Sequence, residues 1–146
     1  MESTVGAALP SSFPMCLLRT WSNGWFTSTR MHEPKILPCI FGCGAGDCLH
    51  HYLECEVLWT LVYCCFNCNV SIFVNSSNSS RACIHNLNPC KMAHLYTAYS
   101  VYHALRKLHS DSIHNAISSD DFNSVQSHAI ELINLFKADT RCDDPG

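Results

Sequence analysis

Charge is scarce in this chain: Asp, Glu, Lys and Arg make up 14% of its 146 residues, against roughly 25% in an ordinary soluble domain. The nine Lys and Arg residues are scattered along the chain, which excludes the basic cluster of an autonomous duplex-binding protein. A hydrophobic fraction of 47% excludes a disordered chain. Long apolar runs are also missing. The best candidate, Val57 to Val74, is interrupted by Thr60, Asn67, Asn69 and Ser71, so a buried helix followed by a short strand is expected there rather than a membrane span. The opening residues MESTVGAALPSSFPM have no basic flank and no long apolar stretch. No secretory signal is read there, and an intracellular location, nuclear or cytoplasmic, is expected. Motifs of catalysis are missing as well: there is no phosphate-cradling glycine loop, nucleophile elbow, zinc-protease helix or paired acidic motif. The chain is predicted not to be an enzyme on its own.

What the sequence does have is 11 cysteines and 9 histidines. Without secretion, an odd number of cysteines mixed with histidine points to metal ligation before disulfides. In CIFGCGAGDCLHHYLEC, three residues separate Cys39 from Cys43, seven separate Cys43 from His51, and three separate His51 from Cys55. Closely spaced cysteines around Gly42 and Gly44 can form a tight knuckle with both thiolates inward and backbone N–H groups facing sulfur. On a helix, His51 and Cys55 leave the same face one turn apart. Three thiolates and an imidazole suit Zn2+, and four protein ligands leave no open position for substrate water, so the predicted role is structural. His50 lies five before Cys55 and is turned away from it on a helix, while Cys48 reads as a helix-start residue. A second group, Cys64, Cys65, Cys68, Cys83, His85, Cys90 and His94, reads as buried or incidental thiols and histidines, with a second metal as the alternative. His103, His109, His114 and His128 read as solvated or capping side chains.

The expected fold is mainly α, a small zinc-stapled knuckle-plus-helix unit packed with an amphipathic helical hairpin. Residues 1–13 read as a flexible tail. Residues 14–66 hold the metal unit: a short helix through Leu17, Leu18 and Trp21, a turn at Ser22-Asn23-Gly24, a strand-like Trp25-Phe26-Thr27, and one long helix that Asp47 caps. Residues 67–88 form a short strand and a polar linker containing NSSNSS. Residues 89–138 form the hairpin, whose first helix opens at Pro89 with Met92, Leu95, Tyr96, Tyr99, Tyr102 and Leu105 on one stripe. A capping box at Ser118-x-x-Asp121 opens its second helix, striped by Phe122, Val125, Ala129, Leu132, Ile133 and Phe136. Residues 139–146 are a tail.

The stretch Leu17 to Trp59 resembles the zinc-binding segment that follows the polymerase domain in reverse transcriptases of non-LTR retrotransposons. The resemblance is carried by Leu18-Arg19-Thr20, by Cys39, Cys43, Gly44, Asp47, His51 and Cys55, by His51-Tyr52-Leu53-x-Cys55 continuing into Leu58-Trp59, and by Tyr102-His103-Ala104-Leu105. It implies single-stranded RNA or DNA and the polymerase portion of a parent protein as partners; no membrane partner is expected, from the interrupted apolar run above. The polymerase motifs are absent, so no catalysis is implied. Over residues 14–56, Arg19, Arg30 and Lys35 face Glu33, Asp47, Glu54 and Glu56, a balance that favours weak binding. Stacking of bases on Trp21, Trp25 or Tyr52 would tolerate that weak field. A zinc-stabilised protein-interaction module is the alternative reading, and a metal-buffering or thiol-redox protein a third.

Overall fold

A computed structural model describes residues 13–66 and 89–140, with side chains for 14–66 and 91–140. Of the expected tail at 1–13, Phe13 opens a helix instead, while residues 1–12, the strand and linker at 67–88 and the last residues 141–146 lie outside the described residues. The architecture is mainly helical, with no strand among the described residues; a single bridge joins Pro38 to Gly46.

Helix α1, Phe13–Trp21, carries Pro14 in its first turn, where the missing N–H costs nothing. Cys16 and Thr20 face inward, while Met15, Leu18 and Trp21 stay exposed. The helix stops at Asn23, whose φ of 58° turns the chain into the left-handed region. The strand expected at Trp25-Phe26-Thr27 does not form. Turns run through this region instead, with Met31 N–H bonded to Thr27 O and Glu33 N–H to Ser28 O. The side chains take over the role of a ladder partner: Thr27 Oγ1 accepts from Arg30 N–H and Ser28 Oγ from Leu37 N–H. Trp25 is fully buried and donates its indole N–H to Thr20 Oγ1.

The single long helix expected after Asp47 is two helices. Helix α2, Leu49–Tyr52, is one turn long, and α3 spans Glu56–Cys65. Between them Cys55 adopts an extended conformation and its sulfur accepts the Leu58 N–H, so a metal-ligand candidate doubles as the cap of α3. Trp59 donates its indole N–H to the Tyr52 carbonyl at the end of α2, which satisfies a carbonyl that the break would otherwise leave unpaired. Cys48 is the residue preceding α2, as expected of a helix start, and Asp47 does not cap it.

The C-terminal half has three helices where two were expected: α4 at Pro89–Leu108, α5 at Ser110–Ser119 and α6 at Asn123–Lys137. The stripes are seated as the periodicity predicts, with Leu95, Tyr96, Tyr102 and Leu105 of α4 buried, and Val125, Ala129 and Ile133 of α6 buried. Helix α5 escapes sequence reading because its polar sequence buries only Ile113 and Ala116. Ser118 lies inside α5 rather than opening a capping box. Asp120 ends that helix at φ 55°, and the Asp121 carboxylate accepts the Asn123 N–H at the start of α6. Helix α4 packs against α6, α3, α5 and α1, and α3 also packs on α6. Lys137 of α6 reaches the Cys65 carbonyl at the end of α3 and lies 5.6 Å from the Phe66 ring centre, where a cation complements both the helix terminus and the ring face.

Candidate metal centre

The loop from Leu37 to Cys48 closes on itself through backbone bonds from Cys39 N–H to Ala45 O and from Asp47 N–H to Leu37 O. Gly42 and Gly44 sit at φ +88° and +93°, a region that strains any residue with a Cβ. Gly42 is held twice over, because a Cβ there would stand 2.7 Å from the Phe122 ring; Gly44 faces open space. The neighbouring Phe41 carbonyl accepts from Gln126 of α6, so the knuckle is clamped to the C-terminal half.

That closed loop brings the four sequence-predicted residues together. Cys39 and Cys55 sulfurs are 3.8 Å apart, Cys43 and Cys55 sulfurs 3.9 Å, and Cys43 Sγ lies 2.9 Å from His51 Nε2. All four donor atoms lie within 4.8 Å of one another, a group that could hold a metal ion. Tetrahedral zinc with bonds near 2.3 Å separates its sulfurs by about 3.8 Å, whereas a disulfide would need about 2.05 Å. The thiols are free. The 2.9 Å contact to His51 is hydrogen-bond length, shorter than a coordination edge. Cys39 and Cys55 are fully buried, Cys43 is exposed and His51 half-buried, so the cluster reaches the surface along one edge.

The electrostatics fit a cation. Hydrogen bonding from the Cys55 thiol pulls the Cys39 thiol down against the opposing effect of burial, helped by His51 and by the Phe41 and Cys43 N–H groups. The Phe41 N–H lies 3.4 Å from the Cys39 sulfur, the backbone-to-sulfur bonding that the knuckle glycines predict. The proton held back appears on the partner: the Cys55 thiol is pushed up by its bond to Cys39 and by burial, and burial also raises Cys43. Protons on Cys55 and Cys43 keep this close packing neutral enough to stand, and a divalent ion taking their place would let all three sulfurs carry charge.

Behind the knuckle stands a polar hub that the sequence does not reveal. The Asp47 carboxylate, read from sequence as a helix cap, is completely buried. Its Oδ1 accepts from Tyr52 and Tyr102 hydroxyls at 2.5 and 2.8 Å, and its Oδ2 from Ser28 N–H at 2.7 Å and Arg106 at 2.8 Å. Arg106 also pairs with Glu33 at 2.9 Å. Burial and the nearby negative charges raise both tyrosines, so each remains a donor. The Tyr52 hydroxyl also accepts the Ile40 N–H inside the knuckle. One carboxylate thus joins the knuckle, the 25–33 loop, α2 and α4.

His50 is exposed and stands outside the cluster, as does Cys48. Among the described residues there is no second metal-competent group. Cys64 is exposed and Cys65 half-buried; Cys68, Cys83 and His85 lie outside the described residues, as does the Cys90 side chain. His94 is buried, 5.1 Å from the Tyr63 ring and 4.6 Å from the Phe66 ring. Trp25 and Tyr52 are fully buried and cannot stack on a base, whereas Trp21 is exposed. His103 is not a solvated or capping side chain. Its Nε2 accepts the Phe26 N–H and its Nδ1 donates to the Tyr99 carbonyl, which forces the neutral ring with the proton on Nδ1. His109 and His128 stack with centres 3.9 Å apart, and His114 bonds to the Ser110 carbonyl.

Comparison with family models, with curated proteins and with solved structures found no match. No described helix is long and apolar enough to cross a membrane.

Proposed function

We propose that this chain is a structural zinc-binding accessory domain of reverse-transcriptase ancestry, which assists RNA or DNA binding weakly and carries no catalysis of its own. The observation that carries the reading is the convergence of Cys39, Cys43, His51 and Cys55 to within 4.8 Å. Three sulfurs and one imidazole nitrogen favour zinc over harder ions, and a full set of four leaves no vacant site for a reacting water. The ion would supply a cross-link between the knuckle and the start of α3. Support for the ancestry is the order and spacing of those ligands with Leu18-Arg19-Thr20 ahead of them and Tyr102-His103-Ala104-Leu105 behind.

Zinc quantification on the purified chain tests this directly, with one ion per chain expected. Cys39→Ser and Cys55→Ser should each lose it, because affinity for the metal is coupled to folding of the site. Stoichiometric zinc retained in both variants, or more than one tightly held ion, would overturn the single-site assignment. A protein-interaction module is the second reading, favoured by the exposed Met15, Leu18 and Trp21 on α1. Salt-sensitive retention of single-stranded RNA by the zinc form separates the two readings. No retention at low salt removes the nucleic-acid role.

A further inference from the structure

Three of the nine basic residues, scattered in the sequence, converge in the fold. Arg19 of α1 and Arg106 and Lys107 in the last turn of α4 line one groove of about 480 Å³, with Phe26, Met31 and Tyr99 among its walls. That size falls within the roughly 300–1,000 Å³ range of small-molecule sites.

The three cations are not equivalent. Arg106 is committed to Asp47, Tyr102 and Glu33, so its single charge is shared by two carboxylates and the attraction for an anion must come from Arg19 and Lys107. Arg19 uses one N–H on the Tyr99 hydroxyl at 2.7 Å and holds its guanidinium 5.3 Å from the Phe26 ring centre, which leaves most of its five donors unspent. Lys107 is exposed and has no ion pair among the described residues. His103 backs the groove, but both its nitrogens are taken by Phe26 and Tyr99. The groove therefore offers two cations with donors to spare beside an aromatic wall, including Phe26, which is 47% exposed. A guanidinium matches phosphate oxygens in a fork and stacks on planar rings, and an aromatic wall adds stacking that any base can use. A duplex hides its base faces, so the match is to an unstacked unit.

We propose that this groove binds a nucleoside monophosphate unit, with phosphate held by Arg19 and Lys107 and the base against Phe26 and Tyr99, as a free nucleotide or as one residue of a single strand. It gives the accessory nucleic-acid role a location and rests on that reading for the source of its ligand. The groove shares no residue with the cysteine and histidine cluster, so failure of the groove and failure of the metal centre can be distinguished by zinc content measured on the same samples.

The test titrates the full, zinc-loaded chain at low salt with adenosine monophosphate, adenosine, inorganic phosphate and a short single-stranded oligoadenylate, followed by calorimetry and NMR. Adenosine monophosphate and the oligonucleotide should bind, and adenosine and phosphate should each bind at least about tenfold more weakly. Lys107→Glu should weaken binding of adenosine monophosphate by about tenfold or more while leaving zinc content unchanged and lowering the melting temperature only slightly, since Lys107 makes no ion pair among the described residues and meets only the terminus of α4. Phe26→Leu, which keeps the bulk and loses the ring, should weaken it less. A clearly tighter oligonucleotide assigns the source to a strand and equal affinities assign it to free nucleotide; both support the site. No binding of adenosine monophosphate, phosphate alone binding equally well, or indifference to Lys107→Glu overturns the proposal.

Discussion

Asp47 ties the 25–33 loop, α2 and α4 together through one side chain. A carboxylate with no exposure is tolerable only when its charge and lone pairs are met, and four donors meet them here. Asp47→Asn keeps the shape but removes the charge that Arg106 faces and turns one acceptor into a donor aimed at other donors. A loss of about 3 kcal/mol or more is expected, read as a lower urea midpoint at unchanged slope. The two knuckle glycines give a paired test. Gly44→Ala meets only the backbone penalty at φ +93° and should cost about 1 kcal/mol. Gly42→Ala adds a collision with the Phe122 ring and should cost at least about twice as much, with loss of zinc affinity as the knuckle opens. Equal costs for the two substitutions would remove Phe122 from the account.

At the scale of elements, the break between α2 and α3 is where the proposed metal and the helix geometry meet. Cys55 leaves the helical region, caps α3 with its sulfur and points the same sulfur at Cys39 and Cys43. Residues 47–66 contain no Gly or Pro to mark that break, which is why they read as one helix. Chelation should therefore act locally. Amide exchange in the knuckle and in α2 is expected to accelerate strongly on zinc removal, while the α4 and α6 core, held by Leu95, Val101, Leu105, Val125, Ala129 and Ile133, keeps most of its protection. Uniform acceleration across the chain would instead mean that the metal and the helical core unfold as one unit. The three C-terminal helices make the same point about legibility. Long stripes in α4 and α6 announce themselves, whereas a ten-residue helix with two buried side chains leaves too little periodicity to separate it from a connection.

For the whole molecule, pH is the sharpest global probe. Burial lowers the His103 pKa below the ordinary histidine value; the Arg19 and Arg106 charges push the same way, and the Tyr99 carbonyl and Asp47 oppose. A depressed folded value means that the neutral ring is the stabilised form. Its contribution is present above the unfolded value of about 6.5 and is lost as pH falls through the lower folded value. In the zinc-saturated chain, stability is expected to decline from pH 7 towards pH 5, and the His103 ring carbons should titrate below 6.5 by NMR. His103→Gln should flatten that part of the profile.

The sequence by itself determined the helical class and the members of the cluster that could hold a metal. Cys39, Cys43, His51 and Cys55 fall within seventeen consecutive residues, so turn chemistry and local spacing are enough to bring them together, and the stripes of α4 and α6 record their own buried faces. Tertiary structure alone decided what long-range contacts decide. It made Asp47 a hub instead of a cap, since Ser28 of the 25–33 loop, Tyr52 of α2, and Tyr102 and Arg106 of α4 all reach it. It buried Trp25 and Tyr52, and it collected Arg19, Arg106 and Lys107 at one groove from a chain whose basic residues look dispersed. The physical reason is range: periodicity and spacing report a residue's near neighbours along the chain, while burial and charge convergence depend on which distant segments the packed core places together.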